Sequence, residues 1–335
     1  MTTEYVKQCL LLAFGCLFPA IAWSTAAVIA AEPAPLTIRS IQQFQPGSPN
    51  SRFGALEFVA GLEYASADSR VGGVSAIRFR PNGRDFLAVL DTGNWLCGTV
   101  ERNEEGNIAG LLGLSVIPMT GGSGQSASKF DMDAEGLVLR GEQIIVSYER
   151  RHRIDFYHDP CVSGSRPQSI DMVIPLHELR SNGGIEMLAV SPVDSALQGA
   201  VVAIAEKSLD ENGNLFASIL GGPEKGIFKV VRDEPWAVTD GAFLPQGDLL
   251  LLERRFSLLG GLGMRIRRVE TKKIRRGALV DGEVLLEVGM EAEIDNMEGL
   301  DVVSGSDGEI RIIVVSDNNR SFLQRNLMLE FRLVE

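Results

Sequence analysis

Five apolar runs in this 335-residue chain end on an acidic side chain: Asp91 after "FLAVL", Glu149 after "IIVSY", Glu206 after "VVAIA", Glu253 after "LLLL" and Asp317 after "IIVVS". A second acidic set precedes them, Glu135 in "DAEGL", Glu186 in "GGIEM", Asp240 in "TDGAF" and Glu298 in "NMEGL", with Ser75 of "GGVSA" in the matching place. Brought together, so many carboxylates repel one another, which raises some of their pKa values unless cations compensate. Oxygen donors of this kind suit a hard cation, calcium first among them. Arg150, Lys207 and Arg254 directly follow Glu149, Glu206 and Glu253, and fixed positive charge beside a metal favours an anionic oxygen substrate such as a phosphoester. Charged strand ends also serve as plain structural ion pairs, and that reading stands beside the functional one.

The elements that must position these residues form a repeat. Five units share one plan of turn, short apolar strand, polar turn and second apolar strand ending in an acid. They cover 72–93, 133–151, 183–208, 239–255 and 296–319. Starts some 50 to 60 residues apart suit four-stranded propeller blades with long outer loops. Further strands are expected at 154–159, 226–233, 264–274 and 327–335, and no long helical stripe interrupts them. The fold class is therefore all-β, a β-propeller of five or six blades. Segment 36–65 lacks the full motif and is assigned either to closing the C-terminal blade or to part of a sixth. On this plan Asp91, Glu149, Glu206, Glu253 and Asp317 form one ring about the axis, and the second set forms another.

Asp131, Asp133, Glu135, Gly136 and Glu142 of "DMDAEGLVLRGE" fall at EF-hand loop spacing apart from Glu at the fifth place. Flanking helices are missing from the pattern, so Asp133 and Glu135 would bind calcium, if at all, by another geometry. There is no G-x-S-x-G, H-E-x-x-H, C-x-x-C, Walker or G-x-G-x-x-G motif, and the three histidines, His152, His158 and His177, read as surface or packing residues.

Residues 1–31 read as a secretory signal peptide, with Lys7, an apolar run from Cys9 to Trp23 and a small-residue end, leaving 32–335 as a single domain. An uncleaved anchor is the alternative, and Pro19 with the small-residue end favours cleavage. The mature chain keeps the net charge of −12, which argues against nucleic acid or anionic lipid as partner. It retains two cysteines, Cys97 and Cys161, enough for one disulfide in an oxidising periplasmic or extracellular setting. No later segment has the apolar length of a membrane span.

The ordered set "DAEGL", "IIVSYERRHRI", "GGIEML", "DGAF", "LLLLERRFSLLGG", "NMEGL" and "VVSDNNRSFLQRNLMLEF" resembles the phytase-like, "esterase-like activity of phytase" family of exported bacterial proteins, from about Gly54 to the C-terminus. The resemblance implies a β-propeller and hydrolysis of phosphoesters or esters, with calcium polarising the substrate and activating water. By that likeness Glu135, Glu149, Glu186, Glu206, Glu253 and Glu298 supply metal or base functions, and Arg150, Lys207 and Arg254 bind the substrate's charge. The calcium ligands of propeller phytases have no residue-by-residue match in this chain. A non-catalytic binding propeller and a lactonase-like calcium enzyme are the rival expectations.

Overall fold

Each of the five repeated units forms the antiparallel inner hairpin of one sheet in the computed structural model, which describes residues 36–122, 128–161, 166–257, 260–305 and 308–334. The signal-peptide assignment lies outside these residues. Innermost strands are Val74–Phe79, Ala134–Arg140, Ile185–Val190, Ala237–Phe243 and Asn296–Ser304, one to each of blades 1 to 5. β-Branched and leucine side chains suit both faces of these strands, which are buried between neighbouring blades. The count is five blades. Residues 36–65 do not begin a sixth: Leu56–Ser66 pairs with the C-terminal strand Asn326–Leu333, and Leu36–Ile41 pairs outside it. Phe44 packs 5.0 Å from Phe331 and 5.5 Å from Phe58 at this closure. Burying these rings holds the two ends of the chain in one sheet without a covalent link.

Blade 3 departs from four strands, because Leu279–Val280, sent across from blade 4, pairs in parallel outside Gly226–Val230. Between blades 1 and 2 the link is covalent: Cys97 and Cys161 form a disulfide with a Cα separation of 6.3 Å. No helix among the described residues is long and apolar enough to cross a membrane.

All five inner strands carry a β-bulge at the same place. The register slips between Val74 and Ala76, Ala134 and Leu137, Ile185 and Met187, Val238 and Asp240, and Met297 and Gly299. A bulge turns its extra residue out of the ladder and sharpens the local twist. Ser75, Glu135, Glu186, Thr239 and Glu298 thus occupy equivalent bulged positions about the axis.

Below them the channel is pinned by one side chain. Arg78 of blade 1 reaches across to both carboxylate oxygens of Asp240 in blade 4, each at 2.7 Å, and donates to the carbonyls of Leu188, Gly241 and Leu300. It therefore ties blades 1, 3, 4 and 5. Burial holds the Asp240 carboxyl above the ordinary range even beside Arg78. Removing one partner of such a pair strands a buried charge, at a cost of about 3–5 kcal/mol, whereas removing both does not. Arg78→Met and Asp240→Leu alone are each expected to lower the urea midpoint steeply, and the double substitution to recover much of the loss. Additive losses in the double variant would show that the pair is not coupled.

Candidate functional site

The mouth of the channel is built by the starts of the inner strands and the ends of the second strands. Its pairing is the same in every blade: Gly73 with Asp91, Asp133 with Glu149, Gly184 with Glu206, Ala237 with Arg254, and Asn296 with Asp317. Four acids and one arginine therefore make the strand-end ring. Glu253, expected there, is offset by one residue and points into the sheet, because a one-residue shift moves a side chain to the other face. It is 1% exposed and accepts from Arg265 Nε at 2.7 Å and from Arg267 Nη2 at 2.5 Å. Its place at the mouth belongs to Arg254.

A second offset affects Asp240. The bulge of blade 4 falls on Thr239, so Asp240 matches Met187 of blade 3 and sits one step deeper, taken up by Arg78. Neither Glu253 nor Asp240 joins the carboxylates at the mouth. In the EF-hand-like stretch, Asp131 pairs with Arg151 and Glu142 lies in the turn beyond Arg140, at the far end of the strand from Glu135. Asp133, by contrast, is drawn in.

Asp133, Glu135 and Glu149 each present an oxygen within 4.8 Å of the other two. Calcium binds oxygen at about 2.3–2.6 Å, so one ion can touch three donors so spaced. Asp133 and Glu149 come from a paired position and Glu135 from the bulge between the strands, which brings three acids of one blade to one point. Glu186 faces the same group from blade 3, and Glu298 from blade 5: the Glu298 charge raises the Glu135 carboxyl, and the Glu135 charge raises that of Glu186. Burial is the largest cause for Glu135, followed by Asp133, Glu149 and Glu298, and it lifts that group well above the carboxylate range. Glu186 is raised likewise, first by burial and then by Glu135, Glu206 and Glu149. The donor set of Asp133, Glu135 and Glu149, all oxygen, with Arg150 as the one cation hydrogen-bonded to it among the described residues, fits a divalent cation.

The basic residues are engaged on the rim. Arg150 Nε donates to Asp133 Oδ2, Lys207 Nζ lies 2.7 Å from Glu206 Oε2, and Arg254 Nη1 lies 2.9 Å from Glu298 Oε1. Arg150 takes a left-handed backbone conformation, φ 53°, as the chain turns out of the strand. Asp317 accepts N–H bonds from Gly73 and Asn319, and Asp91 pairs with Lys129 while its Oδ1 is buried without a partner among the described residues. Burial lifts Glu298 to about 7 against the opposing pull of Arg254, and Asp317 to about 6. Beside Arg150 a cavity of about 680 Å³ opens, lined in part by Arg151, His152 and Arg153. Both ring nitrogens of His152 are buried there without a hydrogen-bond partner among the described residues. Its ring rests on Gly184, where any Cβ would meet it at 2.5 Å.

Residues 69–320 match the family model described as Phytase-like, esterase-like activity of phytase. The chain belongs to this family. No curated protein sequence matches the chain. Among solved structures, an endo-arabinase from Bacteroides thetaiotaomicron VPI-5482 is similar at 12% identity and TM-score 0.48, over 78% of this chain and 94% of that one. An α-L-arabinofuranosidase from Podospora anserina in complex with cellotriose is similar at 12% identity and TM-score 0.48, over 85% and 98%.

The raised carboxyls give a pH signature for this phytase-like chain. Glu298 and Asp317 bind protons in the folded state up to about 7 and about 6, whereas in an unfolded chain such groups titrate near 4. Between these limits the folded chain holds more protons, so its stability falls as pH rises. In EDTA, Tm is expected to climb as pH is lowered from 8 to 5.5, with a smaller climb in Glu298→Gln. A Tm that stays flat or drops over that interval would show that the carboxylates are not crowded.

Proposed function

We propose that this chain is an exported hydrolase that cleaves phosphoesters or esters at the propeller mouth with the help of calcium. The observation that carries the reading is the meeting of Asp133, Glu135 and Glu149 within 4.8 Å, on the same mouth as Arg254 and Lys207. Those three carboxylates would hold the ion. When bound, calcium supplies Lewis acidity toward a phosphoryl or carbonyl oxygen and lowers the pKa of a bound water.

The chain's own residues do the rest. Glu186, raised by burial and by its acidic neighbours and without an ion-pair partner among the described residues, is the proton acceptor for the attacking water. Water oxygen bonds to phosphorus or to the acyl carbon, the bond to the alcohol oxygen breaks, and that oxygen regains a proton from solvent at the open mouth. Arg254 and Lys207, 31% and 46% exposed, present positive charge to the substrate's developing oxyanion. Arg150, 44% exposed, does the same from the blade 2 side, next to the cavity that gives the organic portion room. Glu253 takes no part beyond fixing Arg265 and Arg267. Calcium, a small anionic or ester substrate and a periplasmic or secreted location belong together here. The Cys97–Cys161 disulfide supports such an oxidising setting.

A calcium-supplemented screen of aryl phosphates, phytate, short aryl esters and lactones tests the reading. Turnover is expected to depend on calcium and to fall about 100-fold or more in kcat for Glu186→Gln, the range for loss of a general base, and as far in Glu135→Gln/Glu149→Gln. Calcium-dependent thermal stabilisation with no turnover on any substrate would make the chain a binding propeller instead, and turnover of lactones alone would make it lactonase-like.

A further inference from the structure

The two flanks of the mouth differ in how fully their carboxylates are supplied. Around Arg254 the principal oxygens already have donors. Glu206 Oε1 faces Arg254 Nη2 at 3.6 Å and its Oε2 faces Lys207. Glu298 Oε1 takes Arg254 Nη1 at 2.9 Å and Asn296 Nδ2 at 2.7 Å, while Arg254 also donates to Asn296 Oδ1. Asp317 Oδ1 takes two backbone N–H groups, each at 2.8 Å. On the blade 2 flank the supply is thinner. Asp133 has Arg150 on one oxygen, Glu149 has the Gly183 N–H on one, and Glu135 has the Ser75 hydroxyl.

We propose that Arg254 is a built-in cation standing where a second divalent ion would otherwise bind, so that the mouth takes one ion, on the blade 2 flank. The inference rests on the calcium-assisted reading and deepens it. Four of the five blades place an acid at this strand end, and blade 4 alone places a guanidinium there. That guanidinium bridges carboxylates of blades 3 and 5 on either side of its own blade. It is planar, permanently charged and weakly hydrated, which suits holding two carboxylates at once. A divalent ion brought within about 4 Å of it would meet repulsion of several kT, whereas Arg150 is the more exposed and better screened of the two and hydrogen-bonds only Asp133 of the three blade 2 acids. Lysine would keep the charge, but a neutral side chain would leave Glu206, Glu298 and Glu186 as an oxygen-rich gap of their own.

The test is calcium stoichiometry on the purified chain after EDTA and desalting, by isothermal titration and by equilibrium dialysis with calcium alone. Wild type is expected to bind one equivalent, Arg254→Lys one, and Arg254→Met two, with a larger calcium-induced rise in Tm for Arg254→Met. Two equivalents in wild type would overturn the inference and leave the calcium reading standing, as would a folded Arg254→Met that still binds one. Zero equivalents in wild type would remove the calcium reading itself. Should Arg254→Met fail to fold by circular dichroism, Arg254→Gln replaces it, and the wild-type count already decides half the question.

Discussion

Like-charge repulsion at the channel mouth is the constraint that the rest of the structure answers to. Two carboxylates about 4 Å apart repel by roughly 4 kcal/mol at the effective dielectric of a protein surface, and the mouth gathers Asp133, Glu135, Glu149, Glu186, Glu206, Glu298 and Asp317. A stability of only about 5–15 kcal/mol cannot absorb several such pairs uncompensated. Three remedies are built in. Arg150 and Lys207 each neutralise one acid, Asp133 and Glu206, and Arg254 bridges Glu206 and Glu298. Backbone N–H groups take up Asp317 and Glu149. Proton uptake is the third, when no ion is bound, and it shows as the raised Glu135, Glu186 and Glu298 carboxyls, which a bound divalent cation would return to the ionised form. What these leave uncovered lies on the blade 2 flank, where the proposed divalent cation would supply the remaining compensation.

The backbone that brings the acids together is stabilised away from them. Ring closure relies on the N-terminal strands entering blade 5 and on the phenylalanine cluster around Phe44. The axis is held by Arg78 and Asp240, buried one step below the mouth. Glu253, Arg265 and Arg267 do similar service within blade 4. Charge used for structure and charge left for chemistry are thus separated by depth in the channel and by strand face.

Much of this was legible from residues alone, and the two misplaced acids, Glu253 and Asp240, share one cause. The five inner hairpins and the convergence of Glu135, Glu149, Glu186, Glu206, Glu298 and Asp317 follow from repeats and strand ends, whereas the choice between closure and a sixth blade for 36–65 is made by its pairing with Asn326–Leu333. Register does not follow from repeats either. "YERR" and "LERR" look equivalent, yet the bulge of blade 2 pairs Ala134 with Tyr148 while that of blade 4 pairs Val238 with Glu253. Glu149 therefore corresponds to Arg254, and Glu253 turns inward. The same slip moved Asp240 off the bulge. A signal was present: Arg265 and Arg267 alternate on the neighbouring strand, and two arginines on one buried face require an acid opposite. Thr239, between Glu186 and Glu298 in the ring, was hidden because its hydroxyl serves the Met297 carbonyl rather than a ligand. Arg78 was invisible for a different reason, since nothing in "SAIRF" shows that its guanidinium spans the axis.

The propeller gathers three carboxylates of blade 2 on one flank of its mouth, with Arg150 on Asp133, and an Arg254 bridge between Glu206 and Glu298 on the other. The most direct measurement is the anomalous difference density of calcium-soaked crystals collected at long wavelength. The account predicts one peak at the mouth, within about 2.6 Å of oxygens from Asp133, Glu135 and Glu149. A mouth without any peak, or a peak between Glu206 and Glu298 in place of the Arg254 guanidinium, would contradict it.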